Sequence, residues 1–436
     1  MTLANALFGL AEDDEDGRLC RDISDAQCNE ESTNLIRLTA AQVAAKVGDA
    51  LADPKVALPW LMGVVGAPAF LTSLIVPIRE SLALLPQIFV GAAIRRFSVR
   101  KYFWIVASLG EAAAVLAMVA VALAGLEGAA AGWPILAAVT AFSLARGVAS
   151  IAWKDTLGKT VAKGRRGRVG GYASSAAGVV AALVGLYLAL APAEVRPDWL
   201  LFAMLAAAAA SWAVGAATLG LVAEHPGATD GGRSLLDIAR DQARLILNDA
   251  ELRRFLFARG LMIATALATP FYVALAQRAG GGALGDLGWL MLASGAAGAV
   301  SSAFWGRLSD RSSRATMAIG AVICALAGLA VLAGLEFIPG AMTGAGPFAA
   351  ALFVAGIGHA GVRIGRKTQI VDLAKGDSKS EYVAVSNTII GVGLLGVGAV
   401  VGVISEFSLE AALLALSASA LAGAAVASSL KNAQQE

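Results

Sequence analysis

Between residues 56 and 430 the chain is a series of apolar windows, most of them long enough to cross a bilayer. Short segments join them, and nearly all the Lys and Arg are sorted into these joins. A membrane-spanning helix needs about 20 mostly apolar residues to cross about 30 Å of hydrocarbon. Such windows fall at roughly 56–78, 81–94, 103–126, 131–152, 171–192 and 198–222, then at 254–276, 286–306, 315–337, 347–364, 382–404 and 409–430. The second is short and reaches full length only with Arg79 and Glu80 inside it, their polar heads snorkelling. Of the 436 residues 58% are hydrophobic and 15% charged, against roughly 25% charged in soluble globular proteins. No soluble core of this length hides so much apolar surface, so the expectation is an all-α integral membrane protein with twelve transmembrane helices.

The sorting of charge fixes an orientation. The connections after even-numbered windows carry 23 Lys and Arg; those after odd-numbered windows carry Arg79, Arg196 and Arg278. Because basic residues accumulate in cytoplasmic loops, both termini are expected in the cytoplasm, with the protein multi-pass in a plasma (inner) membrane. Residues 11–17, AEDDEDG, replace the basic start of a cleaved signal peptide. The expected organisation is a cytoplasmic segment over 1–55 and a six-helix bundle over 56–222. A cytoplasmic linker over 223–253, a second six-helix bundle over 254–430 and a tail over 431–436 follow. Within the first segment, residues 36–51 read as an amphipathic helix lying on the membrane surface. Leu235, Ile238, Leu245 and Ile246 share one face of a short amphipathic helix in the linker.

Several classes of chemistry are excluded. Cys20, Cys28 and Cys324 form no C-x-x-C pair, and with His225 and His359 they make neither a disulfide framework nor a metal site, so free thiols, no metal and no cofactor are expected. No G-x-x-x-x-G-K-[ST] loop is present to bind ATP. A membrane-embedded enzyme would need clustered acids, His or Cys within the spans; the chain offers scattered single residues, so no catalytic residue is assigned. The lipid bilayer is the expected partner, with no nucleic acid and a monomeric chain.

The two halves read as a duplication. Gly91 and Gly306 each close an even-numbered window before a basic loop; IAWKDTLGKTVAK (151–163) and IGRKTQIVDLAK (364–375) match in Ile, Lys154 with Lys367 and Lys163 with Lys375; Tyr172 and Tyr382 then open the next windows. Residues 306–314, GRLSDRSSR, resemble the loop signature G-x-L-x-D-R-x-x-R of the major facilitator superfamily of secondary transporters, matching at Gly306, Leu308, Asp310, Arg311 and Arg314. The earlier copy matches at Gly91 and Arg96, but Arg95 stands where the acid belongs. Arg146–Gly147 is similar to the family's fourth-span motif, and the fifth span lacks the Gly-Pro pair of many family antiporters. The resemblance covers about 56–430. It implies a bacterial-type carrier of two six-helix bundles related by a pseudo-two-fold axis, rocking by alternating access. It also implies a conformational latch at Gly91, Arg96, Gly306, Asp310, Arg311 and Arg314, with the glycines allowing close helix approach.

Ionisable residues inside spans cost roughly 2.5–3.5 kcal/mol each on insertion scales and face a partner or a watery cavity. Glu111, Arg146, Arg259 and His359 are such residues, with Arg363 nearer the cytoplasmic end. In the family fold, spans one, four, seven and ten line the cavity, and all but Glu111 lie on these. Glu111 and Arg146 sit at similar depths, roughly 12 and 10 Å from their cytoplasmic ends, so an ion pair between neighbouring helices is expected. It is either static or a switch in which Glu111 takes up a proton and frees Arg146. Arg259 reads as a substrate contact or a snorkelling residue, and His359 as a proton-coupling or a packing residue. The cationic excess points to a small anionic solute, with proton coupling. The alternatives are a drug or metabolite efflux carrier of the same fold, or a non-transporting sensor or scaffold.

Overall fold

A computed structural model describes residues 23, 25–85, 87–192, 195, 197–227, 229, 235–374 and 379–431. The acidic start, residues 375–378 with Lys375, and most of the tail lie outside these residues, as does Arg196. The described elements are helical: α1 (Asp25–Leu51), α2 (Ala57–Val64), α3 (Ala69–Leu84), α4 (Gln87–Ile94), α5 (Lys101–Leu123), α6 (Gly128–Thr160), α7 (Lys163–Leu190) and α8 (Trp199–Gly220) in the first half. The linker holds α9 (Leu235–Asn248). The second half has α10 (Ala250–Leu261), α11 (Ala264–Leu267), α12 (Thr269–Gly280), α13 (Leu284–Arg311), α14 (Ser313–Phe337), α15 (Gly346–Leu373), α16 (Lys379–Phe407) and α17 (Leu409–Ser428). Ten segments among the described residues are long and apolar enough to cross a membrane: α5, α6, α7, α8, α10 to α12 taken together, and α13 to α17.

The start of the chain departs from expectation. The window 56–78 is not one helix: Gly66 takes φ +64°, a left-handed conformation open to glycine, and Pro68 caps α3, so the chain reverses between α2 and α3. Arg79 and Glu80 consequently lie inside α3 rather than at a loop. Residues 36–51 are helical as expected but do not form a surface helix. In α1, Leu35, Leu38, Ala41 and Ala45 are buried against α7 and α8. The contact is close on both sides: a Cβ on Gly48 would lie 2.7 Å from Trp212, and one on Gly215 would lie 3.1 Å from the Ala41 carbonyl. The polar residues at the head of α1 are satisfied by the same neighbours. Gln27 and Asn34 donate to the Ala223 carbonyl at 3.0 and 2.8 Å, and Glu31 pairs with Arg165 at 3.1 Å. Gln27 and Asn34 thereby share the one Ala223 carbonyl, in the segment that follows α8.

The two halves repeat one order of packing. In the first, α5 packs on α6 and α8, α3 on α6, and α1 on α8; in the second, α14 packs on α15 and α17, α13 on α15, and α10 on α17. Between the halves, α3 packs on α16 and α7 on α13. These cross-contacts gather toward the end away from the basic loops. Ser81 Oγ donates to the Gly391 carbonyl at 2.5 Å, Pro77 presses on Gly398, and the Phe70 amide donates to Glu406 Oε1 at 2.6 Å. Gln277 Nε2 reaches the Trp60 carbonyl at 3.0 Å. At Gly288 a Cβ would lie 2.4 Å from the Ala189 nitrogen and 2.6 Å from the Gly185 oxygen, so only glycine lets α7 and α13 meet there. These contacts join the halves at the far end, beside a pocket of about 630 Å³ lined from both halves, Gly63 and Thr72 on one side and Phe271 and Gln277 on the other.

Candidate functional site

Toward the basic-loop end, the two halves enclose a cavity of about 180 Å³. Lys55 and Glu80 reach it from the first half; Arg259, His359, Arg363 and Arg366 reach it from α10 and α15. The break between α10 and α11 and the start of α12 at Pro270 interrupt the seventh expected span, as the proline suggests. That interruption leaves Ile263 and Thr265 lining the cavity beside Arg259. Of the sequence candidates, Arg259, His359 and Arg363 are thus brought together; Glu111 and Arg146 are not.

Arg259 does not snorkel. It is buried, its Nη1 donating to Ser386 Oγ and its Nη2 to Asn387 Oδ1 at 3.2 Å, while Nε has no partner. Both partners are neutral, so they orient the guanidinium and leave its charge unbalanced. Arg363 and Arg366 make no ion pair among the described residues. Lys55 lies 4.0 Å from Glu80 and 3.4 Å from His359 Nε2, and Thr265 Oγ1 lies 3.1 Å from His359 Nδ1. An ammonium only donates, and the Thr265 hydroxyl donates to the Met262 carbonyl at 2.9 Å. The chain of donors therefore assigns His359 as neutral, with its proton on Nδ1.

Glu111 and Arg146 form a second cluster inside the first half, and the expected pair is present: Arg146 Nη1 donates to Glu111 Oε1 at 3.5 Å. Its Nη2 donates to Asp49 of α1, a partner the sequence reading missed because α1 was assigned to the membrane surface. Glu111 is fully buried, and its Oε2, like Asp49 Oδ1, has no partner. Gly147, beside Arg146, lies against α3, where a Cβ would lie 3.3 Å from the Leu82 carbonyl.

The two loop copies differ. In the second, Arg314 donates to the Leu430 carbonyl at 2.7 Å, while Asp310 and Arg311 are exposed and make no side-chain bond among the described residues. In the first, Arg96 is exposed and Arg95 Nε donates back to the Gly91 carbonyl at 3.1 Å. The missing acid is supplied from elsewhere: Glu224, after α8, takes the Lys159 ammonium at 2.6 Å and the backbone amides of Arg100 and Lys101. The glycines are not at close contacts in this conformation, contrary to expectation: a Cβ on Gly306 meets nothing within 4 Å, and one on Gly91 meets only Arg95 at 3.8 Å. Three free thiols are not found either; Cys28 is disulfide-bonded and Cys324 is a buried free thiol.

No family model and no curated protein matches the sequence. Solved structures do match the fold. A nucleoside transporter, NupG, superposes with a TM-score of 0.69 at 11% identity over 91% of this chain and 99% of its own. A peptide transporter, POT, gives 0.65 at 14% identity over 91% and 93%. The xylose transporter XylE from E. coli, in an inward open conformation, gives 0.58 at 13% identity over 91% and 95%. The fold is that of the major facilitator superfamily, as the loop signature implied.

Proposed function

We propose that this chain is a secondary transporter that moves a small anionic solute across a plasma (inner) membrane by alternating access, coupled to protons. The observation that carries the reading is the cationic cavity lined from both halves of the chain. With basic loops cytoplasmic, the far end is external, and moving the contact between the halves from the far end to the basic-loop end would carry the cavity's contents across. Twelve spans follow if α1 with α2 forms the first and α3 with α4 the second, which moves the start of the first bundle from residue 56 to about residue 25. The two bundles are then related by a pseudo-two-fold axis, and the transporter works as a monomer.

Arg259, Arg363 and Arg366 bind the anion, and His359 positions Lys55 rather than carrying the coupled proton. The proton site is the cluster of Asp49, Glu111 and Arg146. Two carboxylates face one guanidinium, with Lys46 3.9 Å from Asp49 and Arg79 close by on α3, stacked 5.2 Å from the centre of the Phe142 ring. A proton on Glu111 would leave Arg146 to Asp49 alone and loosen the packing of α5 on α6. Gly91, Arg96, Gly306, Asp310, Arg311 and Arg314 would engage as a latch only when the cytoplasmic end closes, which accounts for the open space around both glycines here.

The test is uptake into proteoliposomes of radiolabelled organic anions, sugars, amino acids and amphipathic cations, with and without an inward proton gradient. Anion uptake that the gradient raises and Arg259→Gln lowers at least tenfold is expected. Uptake confined to cations or neutral solutes favours an efflux carrier, and no uptake of any solute favours a non-transporting membrane protein.

A further inference from the structure

The cavity sets a charge and a size on whatever occupies it. Lys55 is offset by Glu80, and His359 is neutral. Arg259, Arg363 and Arg366 remain: Glu80 is the one carboxylate among the residues that line the cavity, and it faces Arg363 and Arg366 as well as Lys55, so three positive charges are left in excess. Unpaired charges are costly to take out of water, and the alternating-access cycle must occlude this cavity. A monoanion would leave two of the three charges uncovered at that moment, whereas a dianion leaves one. Arg363 and Arg366, three residues apart, share a face of α15, and Arg259 approaches from α10 with its Nε still free, so donors arrive from two elements. A guanidinium presents paired donors suited to carboxylate or phosphate oxygens.

The remaining wall is apolar: Leu84, Ile263, Ile390 and Leu394 line the cavity beside the cations. Such a wall has no use for an inorganic ion and suits a short carbon skeleton. The volume of 180 Å³ corresponds to about a dozen water-sized atoms at roughly 15 Å³ each.

We infer that the solute is a compact organic dianion of about a dozen non-hydrogen atoms or fewer, bearing two carboxylates or one phosphate monoester. Its charged oxygens lie on Arg259, Arg363 and Arg366, and its carbon chain lies on the Ile263 and Leu394 side. The inference rests on the anion-carrier reading and narrows it.

Isothermal titration of the full-length protein in lipid nanodiscs tests it, with sodium salts at constant ionic strength. The probes are butyrate, succinate, glycerol 2-phosphate, tricarballylate, glucose and uridine. Succinate or glycerol 2-phosphate is expected to bind at least tenfold more tightly than butyrate, and which of the two binds identifies carboxylate or phosphate as the source of charge. Arg366→Gln should weaken that probe at least tenfold and butyrate by less than threefold. Arg366→Lys, which keeps the charge but not the fork, should restore part of the loss. A thermal melt within a few degrees of the parent certifies that each variant is folded. Equal binding of butyrate and succinate would overturn the dianion while leaving an anion carrier standing. Heat from glucose or uridine alone, or from none of the probes at 10 mM, would overturn the dianion as well; anion uptake into proteoliposomes then decides the carrier reading separately.

Discussion

The two halves of the molecule partner their charges differently, with Arg79 of the first half the exception: it stacks on Phe142, and its Nε has no partner. In the first, Arg146 is held between Asp49 and Glu111, Lys159 by Glu224, Arg100 by Asp155 and Arg165 by Glu31. In the second, buried Arg259 is held by Ser386 and Asn387, while half-buried Arg366 and exposed Arg363 make no ion pair among the described residues and face Glu80 of the first half. Buried charge that is paired within the protein tolerates occlusion; charge that is only oriented needs something from outside. On the proposed function, this division would give the proton to the first half and the solute to the second.

The comparison breaks most visibly at Arg146. Arg146→Ala leaves two carboxylates facing each other without a cation between them. It should destabilise the protein by roughly 3–5 kcal/mol, read as a drop in Tm in detergent, with Glu111→Gln in the same background recovering part of it. Arg259→Ala, whose partners are neutral hydroxyl and amide groups, should cost much less.

The far end, where the halves touch, and the basic-loop end are separated by paired glycine substitutions. Gly288→Ala puts a methyl group into the backbone of α7, where overpacking costs about 1–3 kcal/mol. It should force the halves apart at that end, seen as longer spin-label distances across α7 and α13. Between the two loops, Glu224→Ala removes the acceptor of one ammonium and two amides and should cost about 2 kcal/mol. Asp310→Asn should stay within about 0.5 kcal/mol by the same melt. The smallest effect belongs to Gly306→Ala, in open space within α13. A gain of about 0.5–1 kcal/mol from helix propensity is expected, at the expense of transport if the loop must pack during closure.

Much of this architecture is legible in sequence because membrane spans are written in contiguous hydropathy and basic loops. The ten spans from α5 to α17 fall close to their expected windows, and Pro270 marks the real interruption between α10 and α12. The failures are at the start, where hydropathy runs unbroken through a reversal. Gly66 and Pro68 were the only local marks of that turn. α1 escaped because its polar residues Gln27, Glu31 and Asn34 are buried against α8 and α7, a pairing over more than 130 residues that no local pattern records. The site was half legible for the same reason. Arg259, His359 and Arg363 stood out as charges within spans. Arg366, one turn beyond Arg363, was counted with the loop cations, Lys55 and Asp49 were assigned to a segment outside the bundle, and Glu80 to a snorkelling position at the second span.

The claim that the first half carries the proton and the second the solute is tested most directly by internal pH. Proteoliposomes loaded with a pH-sensitive dye receive the preferred anion, and internal acidification is recorded for the parent protein and for Glu111→Gln at matched protein content. Acidification that follows anion entry in the parent and disappears in Glu111→Gln is the predicted result. Undiminished proton movement in Glu111→Gln would contradict the assignment and send the coupling site back to the cavity, to Glu80 and His359.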